Sequence, residues 1–576
     1  MHVGSGRAPH QPRLLECLVD VGERGGPEGE HVIGKRPHVE LVSLHRLCPH
    51  LHEDRTEPPD RPADRRQRRP GTGIDVGRQH PGQSRGELAH RRRHRVVDDG
   101  PVDRRGQREG PAGQPSGDVG PKCGIELGGD VGETGLVVGE SRLGVHGANT
   151  TVARVTLHLT DDDAATLAGE AGEAPALAMR IVTGLAETMG ATRLLSIEGA
   201  HIDSCLYHGQ SGIDFAQRLV DDDARVSVPT TLNVSSLDLL HPDLYKGPPT
   251  EAEASRRLMQ LYETMGCEPT WTCAPYQLAT RPGFGQHVAW AESNAIVFAN
   301  SVLGARTHRY GDFIDICAAI TGRAPAAGLH LDEHRRGEVL FRLRGVGDEL
   351  LDHDVLAPVL GYLIGAEVED RVPVIDGLPP HTPEHRLKAL GSAAASSGAV
   401  GIFHVVGVTP EAATLTDALD GRLPERTVDV GPDDLRRARD ALTTAATDDR
   451  PLGAVSLGTP HYSVAEFERL VELLGDRRVD DDVACFVNTA RAVLHEIALR
   501  GWVDRLESAG VQIVTDTCTY ITPVMGEIRG FALTDSAKWA HYAPGNLGID
   551  VAFGSIDDCV ESAVAGRLVR TDALWR

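Results

Sequence analysis

Residues 511–520 read VQIVTDTCTY. A β-branched run is followed at once by a polar cluster holding a cysteine, the form of a buried strand that ends in a chemically equipped loop. The preceding stretch, TARAVLHEIALRGWVDRLESAG (489–510), has helical periodicity, and its last glycine, Gly510, stands where a helix C-cap is expected. The same order of strand, polar cluster and helix recurs at RLLSIEGAHIDSC (193–205), RVSVPTTLN (225–233), AVGIFHVV (399–406) and GAVSLGTPHYS (453–463). Alternation of this kind predicts an α/β fold of several layers with mainly parallel sheets. In such sheets ligands gather beyond the carboxyl ends of the strands, which is where His201, Cys205, His461 and Cys518 fall.

Two parts of the chain differ in composition. Residues 1–148 contain 23 Lys plus Arg against 22 Asp plus Glu, and no Phe, Tyr or Trp; the remainder holds 36 against 61 and all the aromatic residues. Gly, Pro, Arg and His make up 72 of those first 148 residues. So little apolar surface cannot offset a backbone ordering cost on the order of 1 to 2 kcal/mol per residue. We therefore expect 1–148 to be a disordered low-complexity extension or the product of a misassigned start, with the catalytic region at 149–576. Structured sequence begins near VTLHLTDDDAATLAGE, a short strand followed by Thr160 as N-cap and Asp161 to Asp163 in the first helical turn.

The totals exclude several classes. A net charge of -24 argues against nucleic acid as a partner. No run reaches about 18 apolar residues, so no membrane span is expected. The 10 cysteines show no paired spacing and no signal-like segment opens the chain, pointing to a reducing, cytoplasmic setting. Signatures of dinucleotide folds, P-loops, zinc proteases and serine hydrolases are absent.

In EPTWTCAPYQ (268–277), Cys273 stands between a tryptophan and prolines, in a loop stiffened by Pro269 and Pro275. Packing explains such a thiol as readily as metal ligation. Cys518 repeats the arrangement, just past a strand and before Pro523. Cys317, in GDFIDICAAITGR, has a helical setting in which a core role competes with ligation. Arg306 and Arg323 lie in glycine-containing loops near Asn300, Ser301 and Thr307, where a guanidinium could clamp a substrate carboxylate or make an ion pair. His330, Asp332 and His334 read as solvated loop residues. Ser536, Lys538 and His541 bring a hydroxyl, an amine and an imidazole into one segment.

Taken together, IEGAHIDSCLYHGQSGIDFAQRL, GCEPTWTCAPYQ, AWAESNAIVFANSVLGARTHRYGDFIDICAAITGRAP and TDSAKWAHYAPGN resemble the large, catalytic part of the aconitase X family over about residues 152–576. The resemblance implies an iron-dependent hydro-lyase with cysteine-bound iron or an iron-sulfur cluster, acting as Lewis acid on a leaving hydroxyl while a base removes the proton beside a carboxylate. On this reading Cys273 and Cys518 are metal ligands. Thr459, in LGTPH, stands where some relatives carry a cysteine, which leaves Cys317 as the expected third ligand. His201, Lys538 and His541 are the catalytic candidates, with Asn300, Ser301, Arg306, Arg323 and Ser536 for substrate. The family's catalytic serine belongs to a small swivelling domain that 1–148 does not resemble, so a small subunit is expected in trans. The implied substrate is cis-3-hydroxy-L-proline; phosphorylated mevalonate and a non-catalytic iron-binding relative are the alternatives.

Overall fold

The structure, a computed structural model, describes residues 156–445 and 450–575. The expectation for residues 1–148 lies outside them. Among the described residues no helix is long and apolar enough to cross a membrane.

Three parallel sheets organise the described chain. The first runs β3–β2–β4, from β2 (Ala200–Ile202), β3 (Thr230–Leu232) and β4 (Ala289–Trp290), beside an antiparallel pair of β1 (Leu194–Ser196) with β5 (Arg323–Pro325). The second runs β8–β7–β6–β9, from β6 (Val339–Leu343), β7 (Pro373–Asp376), β8 (His404–Val405) and β9 (Arg426–Val430). The third runs β12–β11–β10–β13–β14, from β10 (Leu452–Tyr462), β11 (Ala484–Thr489), β12 (Val511–Thr515), β13 (Phe531–Thr534) and β14 (Asp550–Phe553). The α/β expectation with mainly parallel sheets holds.

Burial explains the strand patterns. Central β10 is covered on both faces, so ten of its 11 residues are buried and its sequence runs apolar and small rather than alternating. Helices Glu173–Thr188, Gln210–Asp221, Pro249–Thr264 and Ile314–Thr321 close the first core around Ile202, Leu232, Tyr262 and Cys317. Thr160 caps its helix as expected: its hydroxyl accepts from Asp163 N at 3.1 Å while the Asp163 carboxylate returns to the Thr160 amide.

Two local expectations fail for identifiable reasons. The stretch 489–510 is two helices, Arg491–Leu499 and Trp502–Ser508, because Gly501 takes φ 72°, a left-handed conformation that stops the first helix. The run at 399–406 contributes only the two-residue edge strand β8, its apolar residues being buried in loop rather than in ladder.

In each of the first and third sheets the chain order reverses once beside an inner strand, between β2 and β4 and between β10 and β13. Loops leaving the carboxyl ends of strands diverge at such reversals and open a crevice. The two crevices meet: loops after β2, β3 and β4 contact loops after β10, β12 and β13.

Candidate active site

The meeting point is a Cys–His–Cys group. One donor atom each from Cys273, His461 and Cys518 lies within 4.8 Å of the others, and all three residues are buried. A tetrahedral ion with bonds of about 2.3 Å to sulfur separates its ligand atoms by about 3.8 Å, so the group has the span of a single metal site.

Each donor is fixed by its loop. Thr272 N donates to Leu232 O at 3.1 Å, carrying the ladder of β3 into the Cys273 loop. Asn294 Nδ2 donates to Cys273 O at 2.6 Å. Trp271, fully buried, holds φ 43°, a strained conformation for a non-glycine residue that the packed core keeps in place. On the other side, Thr519 anchors Cys518: its hydroxyl pairs with Ser456 Oγ at 2.7 Å and accepts from Trp539 Nε1 at 2.9 Å, while its amide donates to Asn488 Oδ1 at 3.2 Å. His461, at the end of β10, has Nε2 3.1 Å from Thr517 O and Nδ1 3.1 Å from Thr272 Oγ1. A carbonyl only accepts, so Nε2 carries the proton and Nδ1 keeps its lone pair, free to accept from Thr272 or to ligate.

The two thiols differ electrostatically. Burial pushes the Cys273 thiol up, but the Cys518 S–H, the Lys538 ammonium and the His461 amide outweigh it, so Cys273 sits below the ordinary thiol range. Cys518 is pushed well above that range by the thiolate of Cys273 and by burial. One thiolate and one thiol share a proton, and a metal that releases that proton has two sulfur ligands. Thiolates with an imidazole suit zinc, iron or an iron-sulfur centre, so the residues present fit a soft metal group.

Beside the thiols lies a buried ion pair, Lys538 with Glu292, the two side chains 5% and 6% exposed. Burying both charges carries several kcal/mol of desolvation, offset here by the pair itself and by further bonds to Glu292 from Ala295 N at 2.8 Å and Asn294 Nδ2 at 2.7 Å. Lys538 is held well above its ordinary value by the Glu292 charge, against its own desolvation, so it is an ammonium. His201, wholly buried, has Nδ1 2.8 Å from Thr231 Oγ1 and no partner at Nε2; burial lowers it to about 4, leaving a neutral ring.

The remaining candidates have other employment. Cys317 is in the first core, absent from the Cys–His–Cys group, and desolvation raises its thiol. His461 stands where a third cysteine was expected. Thr459, two residues before it, is buried, with its carbonyl accepting from Ser536 Oγ. Ser536 also caps helix Ala537–Leu547 through Trp539 N at 3.0 Å. Arg306 pairs with Asp332 and donates to His330 O at 3.0 Å, and Arg323 pairs with Asp163 at 2.7 Å. The clamps expected of both arginines are thus occupied by ion pairs. Asn300 spends its amide on Thr307, Gly401 and Arg335, and Ser301 Oγ accepts from Phe403 N at 2.8 Å. His541 packs edge-on against Tyr542, with ring centroids 4.9 Å apart. His330 is buried rather than solvated, Nδ1 to Nδ1 with His287 at 3.0 Å.

Sequence reasoning passed over Glu292, Asp203, Asn233 and Arg309. The signal for three of them was position: Asp203, Asn233 and Glu292 each follow a strand of the first sheet.

Comparisons with known proteins agree with this geometry. Family models match in three blocks: aconitase X first domain over 156–333, second domain over 337–440 and third domain over 452–565. The chain is 45% identical over 408 residues to a cis-3-hydroxy-L-proline dehydratase of Pseudomonas aeruginosa, covering 70% of each chain. It is 40% identical over 419 residues to one of Hypocrea jecorina, covering 72% of this chain and 70% of that one. A phosphomevalonate dehydratase large subunit of Thermococcus kodakarensis is 34% identical over 410 residues, 71% of this chain and 100% of that one. The holo-form crystal structure of Thermococcus kodakaraensis aconitase X superposes with a TM-score of 0.64 at 33% identity, covering 71% of this chain and 100% of that one.

Proposed function

The chain belongs to the aconitase X family, and from that premise we propose that it is a hydro-lyase that removes water from cis-3-hydroxy-L-proline. The proton leaves C2 beside the carboxylate, the C3–O bond breaks, and the resulting C2=C3 enamine tautomerises to a pyrroline-2-carboxylate. The observation that carries the substrate choice is the 45% identity to the Pseudomonas aeruginosa dehydratase, against 34% for the phosphomevalonate relative.

Cys273, Cys518 and His461 would hold iron or an iron-sulfur cluster, which when bound supplies a Lewis acid for the departing hydroxyl. The other duties fall to this chain's side chains. Lys538, a buried ammonium near the thiols, stabilises their negative charge and any that develops on substrate oxygen. Glu292 holds that ammonium in place. His201, neutral with Nε2 unpartnered, can accept or relay a proton at that atom. The serine that takes the C2 proton is expected on a small subunit supplied in trans, as the large-subunit name of the Thermococcus relative implies for that protein.

The test is anaerobic purification with iron and sulfide analysis, co-expression with a small-subunit candidate, and assay of both substrates. Water loss from cis-3-hydroxy-L-proline is the expected result. Loss from phosphomevalonate alone would overturn the substrate, and loss from neither, with the metal loaded, would leave an iron-binding relative.

A further inference from the structure

Asp203 and Asn233 follow β2 and β3, whose register pairs His201 with Thr231 and Ile202 with Leu232. The two residues are therefore neighbours at the carboxyl edge of the sheet, inside the crevice. Asn233 Nδ2 donates to Asp203 Oδ1. Its own Oδ1 has no partner, although Asn233 is only 2% exposed. Among the described residues no cationic side chain pairs with Asp203. The charges around it are Glu292, Asp312 and Asp315, all acidic; burial and these neighbours push Asp203 up to about 7. Three carboxylates without a cation invite a metal, but among the described residues they do not converge into a ligand group. What is missing is a small organic cation with hydrogens for two acceptors, a carboxylate and an amide oxygen.

Arg309 supplies the opposite charge. It is exposed in the loop before Asp312, has no acidic partner, and makes one long bond, 3.5 Å to Val400 O. Burial lowers it, and the nearby Tyr542 and Glu292 raise it, so Glu292 is a common neighbour of Arg309 and Asp203.

We propose that these residues form an amino-acid-reading subsite, in which Asp203 and Asn233 Oδ1 accept the two N–H bonds of a secondary ring ammonium and Arg309 binds the adjoining carboxylate. The inference rests on the substrate reading above and deepens it: a phosphorylated hydroxy acid without nitrogen leaves Asp203 and Asn233 unanswered, whereas a cyclic imino acid satisfies both.

The experiment uses the metal-loaded protein with its small subunit. Two probe pairs differ only in ring nitrogen against ring oxygen: cis-3-hydroxy-L-proline with cis-3-hydroxytetrahydrofuran-2-carboxylate for turnover, and L-proline with tetrahydrofuran-2-carboxylate for calorimetric binding. Asp203→Asn keeps the acceptor that Asn233 uses and removes the charge. It should raise KM for the nitrogen substrate by about 100-fold and change that for the oxygen analogue by less than about threefold. It should also abolish the preference for L-proline in binding. Arg309→Gln should weaken both members of each pair alike, since both carry the carboxylate. An Asp203→Asn enzyme that keeps the preference for nitrogen, or loses both substrates equally, overturns the subsite. Binding of L-proline with that preference, without turnover of the hydroxylated substrate, would sink the substrate reading and leave the subsite standing.

Discussion

The backbone amide of His461 donates to the sulfur of Cys273 across 3.3 Å. The bond joins a loop after β3 to the end of β10 and so sets the distance between the two halves of the candidate metal centre. Removing either thiol of the group should empty it without unfolding either core. We expect Cys273→Ala and Cys518→Ala to retain less than about a tenth of the wild-type metal, since a two-thiolate site loses half its sulfur ligands. Cys317→Ala should keep full metal and instead lose about 1 kcal/mol of stability from a small core cavity. Metal analysis beside thermal unfolding of the three variants checks both statements.

The pair Lys538–Glu292 predicts a different signature. Lys538→Met leaves a buried carboxylate without its cation and should cost about 3 kcal/mol, read as a shift in urea midpoint. Adding Glu292→Gln removes that stranded charge while keeping an oxygen for Ala295 N and Asn294, so most of the stability should return. Activity should not return, because the ammonium near the thiols is still absent. A double variant as unstable as the single one would show that the pair is not what the stability depends on.

These residues also mark what a sequence can disclose. β10 and β12 are legible because buried parallel strands must be apolar and their loops polar, and Cys273 and Cys518 were visible in stiff loops after such runs. The ion pair was invisible, since 246 residues separate Lys538 from Glu292 and nothing local marks either as the other's partner. The same blindness misread Arg306 and Arg323: their loops suit a carboxylate clamp, but Asp332 and Asp163 already fill it. His461 could have been ranked above Cys317, because it lies past a strand in the crevice while Cys317 has the periodicity of a core helix.

Asp238 predicts a pH-dependent tie between the two sides of the site. Its buried carboxylate accepts from Thr515 N at 2.8 Å, Thr515 Oγ1 at 2.9 Å and His241 Nδ1 at 2.9 Å, fastening the 234–241 loop to the end of β12. The hydrogen bond from Asp238 raises His241, against partial desolvation, and the Glu507 and Asp516 charges add to it. His241 therefore contributes stability that is fully present below its unfolded value near 6.5 and is lost as pH rises through its higher folded value. Asp238 itself is lowered, its bonds to His241 and Thr515 outweighing burial, so its contribution is present above about 3.8 and lost in acid. His241→Gln should then destabilise by about 0.5 kcal/mol at pH 5.5, after discounting for solvent screening of a half-open ring, and by less at pH 8.5. Urea midpoints at the two pH values test the sign.

The last prediction concerns the partner. The match spans 70% of the Pseudomonas aeruginosa dehydratase but the whole of the Thermococcus kodakarensis large subunit, so the homologous region here has the extent of a large subunit. A catalytic serine carried on a second chain separates binding from turnover. The purified chain, loaded with metal, should bind L-proline yet form no measurable product. Titration with the small subunit should restore turnover until the two chains are equimolar and then saturate, because each crevice needs one proton acceptor. Turnover by this chain alone, unchanged on adding the second, would move the base into the crevice, where the neutral ring of His201 is the first residue to replace.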